Sequence, residues 1–80
     1  MQATITALKT VEIDDAVFFK AAEDMMRAFK VPSVTLQEVF NHLYSNGEVL
    51  VEVEEEDIEV FDGAKDICVS DIRHWKKNNG

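Results

Sequence analysis

The stretch from Glu48 to Asp62 holds eight of the sixteen acidic residues of this 80-residue chain and no basic one. Carried on to Asp71, the acidic count becomes ten, opposed by Lys65 alone. Carboxylates at this density can ligate a hard cation, act as a general acid and base, or attract a basic surface. The run 54–57 with Glu59 is rich in oxygen donors of the kind calcium and magnesium take. The alternating acids and glycine of a calcium loop are absent, and adjacent strand residues point to opposite faces. A general acid and base need different environments within one cleft, whereas a small hairpin face solvates all its carboxylates alike. Neither a metal nor a cofactor is therefore expected, and electrostatic attraction to a basic protein remains.

Other chemistry-bearing residues point the same way. His42 lies beside Asn41 on the polar side of a predicted helix, and His74 lies near the tail. Ser33, Ser45 and Ser70 fall at caps or turns. No nucleophile elbow or glycine-rich phosphate loop exists, the only glycines being 47, 63 and 80. The single cysteine, Cys68, sits in the apolar run Ile67-Cys68-Val69 and reads as a buried structural thiol. No catalytic residue is assigned, and the chain reads as a non-enzyme. A winged helix-turn-helix would place Gln37, Glu38, Asn41 and His42 against DNA with no Lys or Arg, and its wing would be the most acidic part of the molecule. A net charge of −8 likewise opposes direct contact with nucleic acid or an anionic membrane. No stretch approaches the roughly 18 apolar residues of a membrane span. The N-terminus lacks the basic start and apolar core of a secretory signal. A soluble cytoplasmic protein is the expectation.

The elements that must carry the acidic stretch follow from periodicity. Residues 3–13 alternate, with Ala3, Ile5, Ala7, Val11 and Ile13 on one face and a bend near Leu8-Lys9. Asp14-Asp15 offers a helix N-cap, and the helix should run to about Lys30, where Val31-Pro32-Ser33 breaks it. Its apolar arc is wide enough either to pack on both a sheet and another helix or to leave Phe19 and Met26 for a partner. Thr35-Leu36-Gln37-Glu38 reads as a capping box. It opens a second helix with a Leu36, Val39, Phe40, Leu43 stripe, ended by Asn46-Gly47.

Val49, Val51 and Val53 are apolar at odd positions, Ile58 and Val60 at even ones. That parity flip predicts a hairpin whose turn lies in 54–57. Its outer face would carry Leu50, Glu52, Glu54, Asp57, Glu59 and Phe61, with a charged turn at 54–57 as its protruding tip. Like charges opposed across strands destabilise the pair. Edge protection, solubility or a partner would each account for them. Ile67-Cys68-Val69 predicts a short last strand, Ser70 caps a final helical turn around Ile72 and Trp75, and residues 76–80 are expected to fray. The result is one α+β domain over residues 1–80, of order β-α-α-β-β with a short C-terminal strand or helix, its antiparallel sheet packed on two helices.

Two functional readings follow. In the first, the acidic hairpin docks on a basic protein surface through Glu52, Glu54, Glu55, Glu56, Asp57 and Glu59, with Leu50 and Phe61 as the apolar centre. In the second, the chain is a homodimeric accessory or regulatory module joined through Phe19 and Met26, its acids serving solubility only. In size and acidity the whole chain resembles the small inhibitors that phages encode against host nucleases and CRISPR effectors, some of which mimic nucleic acid. The resemblance implies an anti-CRISPR-like blocker of a nucleic-acid-binding protein and carries over no individual residue.

Overall fold

A computed structural model describes residues 2–5, 9–49, 51 and 58–79. The chain opens with β1 (Gln2–Ile5) and β2 (Lys9–Glu12), which pair antiparallel with Ala3 opposite Val11 and Ile5 opposite Lys9. Where the alternation predicts one bent strand, the chain reverses. The register pairs odd residues with odd residues, so Ala3, Ile5 and Val11 still share the buried face. A single bent strand and this hairpin therefore give the same pattern of apolar positions.

Helix α1 (Asp15–Phe29) starts where Asp14 accepts the amides of Ala16 and Val17 at 2.9 and 3.3 Å. It ends at Lys30, which adopts the left-handed conformation (φ 54°) while its amide donates to the Met26 carbonyl. The next residues form β3 (Ser33–Thr35), then α2 (Leu36–Ser45), β4 (Asp66–Cys68) and α3 (Val69–Asn79). The capping box at Thr35 and Glu38 closes in both directions. Gly47, at φ 72°, takes the left-handed turn after α2.

The class is α+β, but the described strands form two two-stranded antiparallel sheets, β1-β2 and β3-β4. Val60 meets the first sheet through one bridge to Ile5. One apolar cluster joins both sheets to the helices, with Phe18, Val34, Val39, Phe40 and Leu43 the most deeply buried large side chains.

Helix α3 is longer than a capped final turn, and residues 76–79, expected to fray, are helical. Cys68 rather than Ser70 stands at the residue before its first turn. The Cys68 amide donates to Asp71 Oδ2 at 3.0 Å, the reach-back half of a capping box. The thiol is half-buried and hydrogen-bonds Asp71 Oδ2 at 3.2 Å. These two donors hold the Asp71 carboxyl below its ordinary value.

Two contacts seat α3 on α1. The Trp75 ring stacks on Phe19 with centroids 5.0 Å apart. Lys76 Nζ donates to Glu23 Oε2 at 2.9 Å. The Lys76 ammonium lowers the Glu23 pKa from its ordinary value of 4.5, first by this hydrogen bond and then by its charge, with Arg27 adding to the effect. A depressed carboxylate stabilises the fold above its unfolded value, and the contribution is lost as pH falls through the lower folded value. Lys76→Met should therefore raise the Glu23 titration midpoint, read from its carboxyl carbon by NMR. The stability difference between wild type and variant should persist above 4.5 and fade as pH drops below it.

Candidate functional site

The C-terminal end of the acidic stretch is held by the first turn of α2. Gln37 Nε2 donates to the Ile58 carbonyl at 2.8 Å, and the Val60 amide donates to Gln37 Oε1 at 2.7 Å. One side-chain amide thus serves a backbone acceptor and a backbone donor two residues apart, as a neighbouring strand would. Gln37 Nε2 also donates to Asn41 Oδ1 at 2.9 Å, which fixes the orientation of the amide. On the other side, the Phe61 amide donates to the Thr4 carbonyl of β1 at 2.7 Å.

Residues 61–64 then turn back over the N-terminus of α2. Asp62 is left-handed (φ 59°), and the Gly63 amide donates to the Val60 carbonyl at 2.9 Å. The amides of Leu36 and Gln37, which have no partner inside their own helix, donate to the carbonyls of Lys65 and Gly63 at 2.9 Å each. A Cβ on Gly63 would lie 2.9 Å from both Gln37 Oε1 and the Val60 carbonyl. Residue 63 must therefore be glycine for the chain to approach Gln37 so closely.

This anchoring sorts the side chains. Ile58 and Val60 are buried, as is Val49 near the start of the stretch, while Val51 packs partly against the core. Glu59 is exposed and Phe61 is 69% exposed, so the parity read from the sequence places both on the outer side. Leu50, Glu52, Glu54, Glu55, Glu56 and Asp57 lie outside the described residues. The expected pairing of 49–53 with 58–61 is not the one that residue 60 makes. Val60 bridges Ile5, and Gln37 and β1 supply the backbone partners at residues 58, 60 and 61, while Val49, Val51, Ile58 and Glu59 belong to no strand.

Glu48, Asp62 and Asp66 are also exposed, and none has a Lys or Arg nitrogen within 4.0 Å among the described residues. Beside them a groove of about 710 Å³ runs between α2 and residues 58–64, with Phe40, Ile58 and Val60 below and Asn41 and Tyr44 at its edge. The acidic edge thus combines exposed carboxylates with exposed aromatic surface at Phe61 and Tyr44.

The apolar dimer surface expected at Phe19 and Met26 is not open. Met26 is 6% exposed within the core, and Phe19 is half-buried between Phe18 and Trp75. Helix α3 covers the part of the α1 arc that was left for a partner. His42 and His74 each accept from an asparagine one turn along the same helix, Asn46 and Asn78, at 3.1 Å. Among the described residues no three His, Cys, Asp or Glu side chains converge as a metal would require. No helix among them is long and apolar enough to cross a membrane. Comparison with protein families, curated proteins and solved structures found no match for this chain.

Sequence reasoning missed Gln37. In the first turn of an amphipathic helix it reads as an ordinary polar-face residue, and its partners lie 21 and 23 positions away. Gln37→Leu preserves size and removes both hydrogen bonds, and should lower stability by about 1–3 kcal/mol, the cost of leaving the Ile58 carbonyl and Val60 amide unmatched. Gly63→Ala should cost a similar amount, about 1–3 kcal/mol, by overpacking. Because both changes act on one contact, urea denaturation of the double variant should show a loss smaller than the sum of the two.

Proposed function

We propose that this chain is a non-enzymatic interaction module that presents the acidic 48–62 stretch to a basic surface on a partner protein. The observation that carries the reading is the anchored outward pairing of Glu59 and Phe61. Ile58 and Val60 are fixed in the core by Gln37 and β1, so their outward neighbours need little further ordering on binding. Carboxylates flanking an exposed aromatic suit a groove that combines cations with an apolar centre. Protein grooves that take nucleic acid have such cations, and the reading is a blocking ligand of the inhibitor or nucleic-acid-mimic type. The residues proposed for contact are Glu52, Glu54, Glu55, Glu56, Asp57 and Glu59, with Leu50 and Phe61 as the apolar part. A lone thiol without a disulfide suits a reducing compartment, and the proposed setting is the cytoplasm.

The test is capture of a basic partner by immobilised full chain, titrated at about 50 mM and about 500 mM salt, where screening lengths differ severalfold. The reading predicts loss of at least about tenfold in affinity at the higher salt, and abolition by Glu54→Lys, Glu55→Lys and Glu56→Lys together. Phe61→Ala should leave folding stability within about 0.5 kcal/mol, as for most exposed positions. It should still weaken capture by about 2 kcal/mol if Phe61 is the buried anchor of the contact. Capture that survives the triple reversal at full strength overturns the reading.

A further inference from the structure

The basic residues are concentrated on two helices, which also carry Asp15, Glu23, Asp24 and Asp71. Lys20, Arg27 and Lys30 lie on α1 and its cap, and Arg73, Lys76 and Lys77 on α3, together six of the eight basic residues. A groove of about 410 Å³ runs between these helices. Met26 and Ile72 form its buried floor, and the exposed Val31 and Val69 form apolar walls. Glu23, Arg27, Arg73 and Lys76 stand around it. Arg27 and Lys76 share the carboxylate of Glu23, whereas Arg73 makes no ion pair with the described residues. An apolar trough beside an uncommitted guanidinium is suited to an apolar side chain flanked by carboxylates.

The chain itself carries such a group. Phe61 is the most exposed of its large apolar side chains among the described residues, and Glu59 and Asp62 lie beside it in sequence, both exposed. We propose that the α1–α3 groove receives the Phe61 corner of a second copy of this chain, with Arg73 facing the incoming Glu59. The groove and the acidic edge share no residue, so each copy offers both halves of the contact at once. The contact is head-to-tail: it buries different patches on the two copies and extends into rings or short chains rather than closing as a symmetric pair. Net charge of −8 per copy opposes the approach, so association is weak and reversible. Self-association occupies the surface assigned above to the basic partner, and the inference rests on that reading for the exposure of Phe61 and Glu59. The two uses are mutually exclusive, so the partner dissociates the chains.

Sedimentation velocity of the full chain, from about 10 µM to about 500 µM, tests the proposal in the range expected of a small transient interface. The sedimentation coefficient should rise with concentration. Arg73→Glu and Glu59→Lys should each raise the concentration at half-association by at least about tenfold, the usual mark of a central contact. The double variant recreates an opposite-charge pair across the contact and should regain most of the association, which separates loss of contact from loss of fold. A chain that stays monomeric throughout overturns the proposal and leaves the groove to an acidic segment of some other protein. Arg73→Glu without effect, or a double variant no better than its parents, overturns it as well. Arg73→Glu should leave capture of the basic partner intact. Capture that succeeds beside a monomeric chain thus refutes this inference alone, and self-association without capture refutes only the proposed function.

Discussion

The side-chain amide of Gln37 solves a problem that the acidic stretch creates for itself. Carboxylates opposed across a ladder repel one another and weaken the strand pairing that would hold them. Gln37 supplies a donor and an acceptor borrowed from a helix, satisfying the Ile58 carbonyl and the Val60 amide. The exchange has requirements of its own. Residue 63 can carry no side chain, and Asp62 must turn left-handed to bring the Gly63 and Lys65 carbonyls over the first amides of α2. The capping box at Thr35 and Glu38 satisfies the next amide and holds the helix end in place for all of these bonds.

Helix α3 performs a similar service for α1. The apolar arc of α1 is too broad for one neighbour, and the ring of Trp75 closes it over Phe19. The Lys76–Glu23 pair lies at the same seam, well exposed, and contributes little to stability beyond its geometry. Its consequence is electrostatic: the cations gather on α1 and α3 while the carboxylates gather around residues 48–66. The cations of α1 and α3 are largely paired with Glu23 and Asp24, whereas residues 48–66 carry one basic residue, Lys65, and this local excess of carboxylates gives the acidic edge its field.

Local signals carried most of the helical half of the fold. Asp14, the Thr35–Glu38 box and Asn46-Gly47 mark helix ends with side chains that act within three or four residues, and the structure uses them there. The parity flip between Val53 and Ile58 was also informative, since it sorts Ile58 and Val60 inward and Phe61 outward whatever their strand partners are. Pairing itself was not legible. An odd-with-odd register hides the reversal between β1 and β2, and β3 and β4 are three residues each, too short for a period to declare itself. Gln37 and Gly63 were out of reach because their importance is a single approach of 2.9 Å between distant parts of the chain. A wide apolar arc does not say how many neighbours share it, so the sequence left open whether Met26 packs inside or faces a partner, and the length of α3 decides that.

The account depends most on the acid-rich chain being tied down at residue 60. Amide hydrogen exchange at Val60, followed by NMR in the full chain, measures this directly. Protection comparable to that of the α2 interior at Phe40 and Leu43 is the predicted result, because the Val60 amide is bonded to Gln37 Oε1 within a buried segment. Exchange of Val60 at the rate of an open chain, while the α2 amides remain protected, would contradict the anchored acidic edge and the function proposed from it.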